Sequence, residues 1–376
     1  MRSVFVCSCR SLFFCGLFLL GCLYQPQTGF SQSPTEQAGR AQFDRMDRNQ
    51  DGRLTPDEIP VRSKGLFRKI DTNGDSLISL EEHLRFVNLR AVRQPRGNQQ
   101  PDRRLPEGVE VSRDVFYVKD GHARQTLDVY VPAQTDAKLP VVVWIHGGAW
   151  RAGDKRNCPA LYLLKHGYVV ASINYRLSQH AVFPAQIQDC KAAIRFLKSN
   201  ADRFQIDPKK VGVWGSSAGG HLVALLGTSG GVVELELPGA EKSEFDSTVQ
   251  AVCDYFGPTD FTQMNEQTTI KGPIDHDAVD SPESQLIGGA VQKNKEKAEA
   301  ASPLSYVSKN DPPFLIVHGD RDPLVPLPQS EILQKKLKAT GVNSELIIIP
   351  GGGHGPFKSP ERLEQVQRFF DKHLKR

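Results

Sequence analysis

In Gly215-Ser216-Ser217-Ala218-Gly219 a serine stands between glycines, directly after the apolar run Val211–Trp214 and directly before a helix-patterned run to Gly227. Strand, sharp turn and helix in that order lift the Ser217 hydroxyl clear of the chain, and the glycines leave room for the strained backbone such a turn needs. A hydroxyl is a weak nucleophile near neutral pH. It needs an imidazole to take its proton and a carboxylate to orient that imidazole. Asp322 lies in the loop after the apolar run 314–319, and His354 follows the run 345–350 with three glycines before it and one after, so each stands at a strand's carboxyl end. Asp320, two residues earlier, competes for the acid role; the extra residues carry Asp322 off the strand and into the loop. The attack leaves charge on an oxygen that preorganised amides stabilise. Gly147, Gly148 and Ala149, after the run 141–145, and Ala218, next to the serine, are the candidates. Trp150 reads as a pocket wall or as core, and His221 and His318 read as packed within a helix and a strand.

A different chemistry is written in residues 47–58 and 71–82, a short internal repeat. Each matches the EF-hand calcium loop, which presents oxygen ligands at loop positions 1, 3, 5, 7 and 9 and a bidentate carboxylate at 12 to a hard cation. The first supplies Asp47, Asn49, Asp51, the Arg53 carbonyl, Thr55 and Glu58; the second supplies Asp71, Asn73, Asp75, the Leu77 carbonyl, Ser79 and Glu82. Gly52 fills the sixth position of the first loop, where the chain turns sharply. The second has Ser76 there, and a non-glycine residue at positive φ is strained, so a weaker or distorted second site is expected. Leu54 and Ile78, at the eighth positions, are placed to pair as a two-strand bridge. Pro60 shortens the exit helix of the first loop.

These residues need a scaffold. Apolar runs at 141–145, 168–173, 211–214, 249–256, 314–319 and 345–350 alternate with helix-patterned segments at about 159–166, 184–199, 219–227, 328–340 and 359–374. Unbroken apolar runs suit strands covered on both faces, and regular alternation predicts an α/β domain with a doubly wound, mostly parallel sheet whose chemistry collects at the strands' carboxyl ends. Two alternating segments, 109–118 and 126–132, precede it as antiparallel strands joined around Asp120-Gly121. A polar stretch at 258–306 breaks the pattern and reads as a cap near the site, with a helix in its Lys/Glu-rich part. The domain expected is 108–376, joined by a polar, proline-bearing linker at 93–107 to a small α-helical calcium-loop appendage at 35–92.

Residues 1–33 have the layout of a secretory signal peptide: early arginines, a short apolar run and a small-residue tract, with cleavage expected between Gly29 and Ser33. The apolar run is too short to span a bilayer. Leu19-Leu20-Gly21-Cys22 also resembles a lipobox, which would anchor the chain to a membrane through a lipidated Cys22. Either route leads out of the cytoplasm, to a secreted or periplasmic location. Of seven cysteines, four fall within the first 22 residues, and the three left form no disulfide framework. The net charge of +4, from 47 basic and 43 acidic residues mixed along the chain, argues against a nucleic-acid partner.

From about residue 109 onward the sequence resembles the α/β-hydrolase superfamily, and within it the hormone-sensitive-lipase-like and feruloyl-esterase-like carboxylesterases. The stretches that carry the resemblance are 146–150 (HGGAW), 174–178 (NYRLS), 206–221 (IDPKKVGVWGSSAGGH), 313–326 (PFLIVHGDRDPLVP) and 353–355 (GHG), with shorter matches at 183–197, 281–289 and 302–307. The resemblance implies hydrolysis of carboxylic esters through an acyl-enzyme, with Ser217, Asp322 and His354 as the triad in that chain order, no catalytic cofactor, and Gly147, Gly148 and Ala218 near the oxyanion. Ala149 replaces the third glycine of the related HGGG form, and its amide donates equally well. Similar enzymes act on acetyl or feruloyl esters of polysaccharides, so a small-molecule or polysaccharide ester is the implied substrate. A serine peptidase of the prolyl-oligopeptidase kind shares the segment 318–326, but no propeller repeat is present. A calcium-dependent binding protein with an inactive hydrolase fold is the other alternative, against which the complete set Ser217, Asp322 and His354 speaks.

Overall fold

A computed structural model describes residues 40, 43–59, 67–71, 73–93, 105–132, 137–240, 244–270, 272–355 and 357–375. The leader, Cys22 and Pro60 lie outside them. The chain divides into two compact units, Met1–Gln100 and Pro101–Arg376. Among the described residues no helix is long and apolar enough to cross a membrane.

In the smaller unit, β1 (Arg53–Leu54) and β2 (Ile78–Ser79) pair antiparallel, with Leu54 opposite Ile78, and helix α1 (Leu80–Arg93) follows directly. The bridge joins the two loops at the eighth-position residues, as the sequence predicts. Leu54 and Ile78 are completely buried and, with Phe43, Ile59 and Ile70, form the unit's own apolar core. The bridge therefore fixes the loops side by side through apolar burial as well as two residues of ladder.

The larger unit is built on an eight-stranded sheet: β3 (Glu110–Phe116), β4 (Thr126–Val131), β5 (Leu139–Ile145), β6 (Val169–Ile173), β7 (Ile206–Ser216), β8 (Ala251–Tyr255), β9 (Phe314–Gly319) and β10 (Ser344–Ile349). Their spatial order is β10-β9-β8-β7-β5-β6-β4-β3; every pairing from β6 to β10 is parallel, and β4 pairs antiparallel with both its neighbours. Alternate residues of one strand serve opposite faces, which is why the central strands read as unbroken apolar runs. On β5, Val141, Val143 and Ile145 join the core beneath α2 (Ala185–Ser199) and α3 (Ala218–Thr228), whereas Val142 and Trp144 face the 3₁₀ helix Pro159–His166 and the C-terminal helix Pro360–Leu374.

Two elements differ from the sequence reading, one in helix type and one in where it starts. The segment 159–166, expected as a helix, winds as 3₁₀, opening at Pro159 and closing on Gly167 in the left-handed region. Strand β7 begins at Ile206, five residues ahead of its apolar run, because Leu139 pairs with Ile206 before a register irregularity, and the largely polar residues 207–210 bulge between that pair and Val141–Val211. Between β8 and β9 the polar region holds short helices, among them α4 (Pro282–Ile287) and α5 (Lys295–Ala301).

Candidate active site and calcium loops

Ser217 sits between β7 and α3 with φ 56° and ψ −124°, a left-handed conformation that costs a non-glycine residue on the order of 1–3 kcal/mol. Its surroundings hold it there. The Ser217 amide donates to the Tyr255 carbonyl at 2.8 Å, and its carbonyl accepts from His221 N–H at 2.9 Å. The flanking glycines are required by close approach: a Cβ on Gly215 would stand 2.2 Å from the Gly219 carbonyl oxygen, and one on Gly219 would stand 2.1 Å from that of Ile145. The helix is thereby drawn against the end of β5, and the serine is left at the apex, partly exposed.

His354 donates from Nδ1 to Asp322 Oδ2 at 2.7 Å. The other carboxylate oxygen of Asp322 accepts from the amides of Leu324 (2.8 Å) and Val325 (3.0 Å). Burial alone would raise this carboxyl's pKa; the adjacent His318 ring, the hydrogen bond from His354 and the Val325 amide outweigh it and hold the group well below the ordinary carboxylate range. It stays ionised, as an imidazole partner requires. Asp320, the competing acid, is exposed and turns the other way, accepting from Gly351 N–H at 2.7 Å and bracing the loop that carries His354. Among the described residues no hydrogen bond joins the Ser217 hydroxyl to His354; such contacts are often long in the free enzyme and tighten with substrate. The imidazole is packed edge-on against Phe256, 4.5 Å between ring centres, next in sequence to the Tyr255 that holds the serine amide.

Gly147 abuts the serine: a Cβ there would lie 3.2 Å from Ser217 Cβ. The loop then runs through Gly148 (φ 113°), Ala149 (φ 54°) and Trp150 (φ 53°), three successive left-handed residues. Among the described residues no backbone hydrogen bond uses the amides of Gly147, Gly148 or Ala149. Ala218 is the first residue of α3, so its amide has no partner within the helix, and the Ser217 side chain does not cap it. Unused donors therefore lie on both sides of the serine.

Two braces were not evident from residue spacing. Arg124, in the turn before β4, donates to His146 Nε2 (3.1 Å) and to the carbonyls of Gly153 (3.0 Å) and Tyr175 (2.8 Å), while His146 Nδ1 donates to the Gly147 carbonyl at 2.7 Å. Burial lowers the His146 pKa to about 4, so the ring is neutral and free to accept from arginine. His318 is fully buried on β9; its Nε2 donates to the Val325 carbonyl at 2.9 Å and stands 3.4 Å from Asp322 Oδ2, with the Ser330 hydroxyl 2.7 Å from Nδ1. The only signal for His318 was its place four residues before Asp322 on a strand end.

The two oxygen-rich loops close alike. Asp47 accepts from the amides of Asp51 and Gly52, and Asp71 from those of Gly74 and Ser76; Glu58 and Glu82 accept the amide and hydroxyl of Thr55 and Ser79 respectively. Ser76 does take the expected positive φ, 64°, matching Gly52 at 78°. At the fourth position the roles reverse, with Gln50 at 59° in the first loop and Gly74 at 75° in the second. Each loop thus has one glycine for two left-handed positions, and the strain expected of the second alone is shared equally. Among the described residues no three His, Cys, Asp or Glu side chains stand close enough to hold a metal unaided. An all-oxygen donor set of carboxylates, Asn amides, hydroxyls and carbonyls around a tight turn nevertheless fits calcium by its chemistry.

A family model, BD-FAE, matches residues 127–337, and an EF-hand model matches 40–59 and 64–87. Esterase LipC of Mycobacterium tuberculosis is 32% identical over 248 residues, which are 65% of this chain and 59% of LipC. Its relative LipQ is 34% identical over 54% of this chain and 47% of LipQ. The chain thus spans about half of the curated relatives' length. Among solved structures, a truncated carbohydrate esterase from gut microbiota superposes with a TM-score of 0.66 at 33% identity, covering 72% of this chain and 99% of that one. A bifunctional GH43-CE protein of Bacteroides eggerthii gives 0.63 at 38%, covering 70% of this chain and 38% of that one. With its strained serine at the end of β7 and this sheet order, the chain belongs to the BD-FAE family, an α/β-hydrolase esterase domain with EF-hand sequence on its N-terminal side.

Proposed function

We propose that the protein is an exported serine carboxylesterase that deacylates carbohydrate esters. The observation that supports this most is the juxtaposition of a strained, partly exposed Ser217 with unused amides on both sides, on the sheet end that also carries the His354–Asp322 pair. Ser217 Oγ attacks the ester carbonyl carbon as His354 Nε2 takes its proton. Asp322 stabilises the imidazolium through Nδ1–H. The oxyanion is received by Ala218 N–H and by amides of Gly147, Gly148 or Ala149. Collapse breaks the C–O bond to the alcohol, which leaves with the proton from His354. Water, deprotonated by the same imidazole, then attacks the acyl-enzyme, and the acid is released as the serine is reprotonated. Its likeness to a carbohydrate esterase from gut microbiota supports oxygen-linked sugars as the alcohol side. Assay of acetylated xylan, methyl ferulate, short p-nitrophenyl esters and proline-terminated amides tests the reading. Release of acetate from xylan is the expected result, and cleavage of the amides without the esters would replace it by the peptidase reading.

Calcium belongs to the same proposal. Asp47, Asn49, Asp51, Arg53, Thr55 and Glu58 would hold one ion, and Asp71, Asn73, Asp75, Leu77, Ser79 and Glu82 the other; the ion would supply loop rigidity. Calorimetric titration of the full chain is expected to saturate at about two equivalents, with Glu58→Gln and Glu82→Gln each removing one. Because the proton transfers above use no metal, EGTA is expected to leave ester turnover within about twofold. Flat heats would refute the calcium assignment.

A further inference from the structure

We propose that His221 is a positioning residue that locks the oxyanion-side loop to the helix bearing the nucleophile. The inference rests on the reading that amides of residues 147–149 serve Ser217. Trp150 Nε1 lies 3.2 Å from His221 Nδ1, and His221 Nε2 lies 2.7 Å from the Ala301 carbonyl oxygen. An indole N–H only donates and a carbonyl only accepts, so the partners dictate the tautomer: Nδ1 accepts and Nε2 carries the hydrogen. Burial keeps the ring in that neutral form, lowering its pKa to about 4. One imidazole thus spans three segments that are remote in sequence: the loop after β5, the first turn of α3 and the C-terminal end of α5.

The packing around it is equally specific. Trp150 meets His221 edge-on at 5.1 Å between ring centres, and Phe261 closes the cluster at 5.0 Å from His221 and 5.5 Å from Trp150. Trp150, His221, Phe261 and Ala301 are all buried. Ala149 and Trp150 are consecutive non-glycine residues at positive φ, a conformation that persists only where the surroundings over-determine it. The indole is their anchor: without its hydrogen bond the loop gains a route to relax away from Ser217, which lies four residues before His221 and whose carbonyl accepts the His221 amide hydrogen bond. A displacement of about 1 Å in such a loop is worth on the order of a hundredfold in rate. Burial in a helix explains a histidine's packing but not why both ring nitrogens are committed to functional-loop and cap partners.

The test compares Trp150→Phe, His221→Phe and His221→Gln in the full chain. Trp150→Phe keeps an aromatic ring while removing the donor and part of the ring volume; His221→Gln retains one acceptor and one donor. For the two Phe variants kcat is expected to fall about 10- to 100-fold with KM within about threefold, and affinity for a trifluoromethyl ketone, which forms an oxyanion on Ser217, to fall in parallel. The double Phe variant should be no worse than the poorer single one, and His221→Gln should recover part of the loss. Should kcat and ketone affinity of Trp150→Phe stay near wild type while only Tm falls, or should the two Phe losses multiply, the positioning role is wrong. Absence of ester turnover in the unmodified chain would instead overturn the esterase reading itself.

Discussion

Replacing Ser217 by alanine should remove ester turnover, with kcat falling on the order of 10⁶-fold, as when a triad serine is lost elsewhere. The size follows from what is taken away. No other hydroxyl occupies the apex between β7 and α3, so the covalent route closes, and only binding and the amides around Gly148 and Ala218 remain to assist water. The substitution leaves the backbone's demands unchanged: alanine carries the same Cβ, adopts φ 56° at similar cost, and keeps the amide bond to Tyr255. Tm should therefore stay close to that of the parent chain, which separates chemical loss from unfolding. The informative control is Ser216→Ala. Ser216 is the last residue of β7, pairs with Tyr255 in the ladder, and is the nearest alternative hydroxyl. Retained turnover in Ser217→Ala, lost only when Ser216 is also replaced, would move the nucleophile by one residue and with it the assignment of every partner.

Most of this arrangement was legible because it is written in local chemistry. The Gly-Ser-Ser-Ala-Gly turn identifies itself through the apolar run before it and the helix after it, and Asp322 and His354 follow from strand ends. What was illegible is long-range. Arg124 meets His146 across 22 residues, and His221 meets Ala301 across 80, with no spacing rule to announce either. A histidine inside a helix reads as core, and it is core; only the partners of its two nitrogens distinguish it from filler. Strand β7 starts earlier than its apolar run for a related reason, since the single long-range pair Leu139–Ile206 extends it across the irregular residues 207–210, which have the polar composition of a loop. In the calcium loops Ser76 takes the left-handed conformation that the sequence predicts, whereas Gln50, in the same conformation in the first loop, carries no comparable sequence signal.

Asp322→Asn should lower kcat by about 10⁴-fold while Asp320→Asn changes it by no more than a few-fold. The asymmetry comes from hydrogen-bond polarity. Asp322 is buried and receives the amides of Leu324 and Val325 on one oxygen and His354 Nδ1 on the other, with His318 Nε2 3.4 Å away. Asparagine has a single acceptor oxygen. If that oxygen keeps the two backbone amides, its NH₂ faces His354 and forces Nδ1 to accept, which leaves the ring's hydrogen on Nε2, where it cannot take the serine's proton. If the amide flips, two backbone donors face an NH₂ in a buried site, and the loop 322–325 is destabilised instead. Stability reports the same site. Because the native carboxyl is held below its ordinary range, it stabilises the fold above the unfolded carboxylate pKa, and that contribution fades as pH falls toward the native value. Asp322→Asn should accordingly be less stable at neutral pH and show a shallower loss on acidification than the parent chain. Asp320 presents one exposed oxygen to Gly351 N–H, which an asparagine oxygen accepts equally well. A greater loss in Asp320→Asn than in Asp322→Asn would transfer the acid's role to the residue nearer the strand, and would require His354 to turn away from the partner it has here.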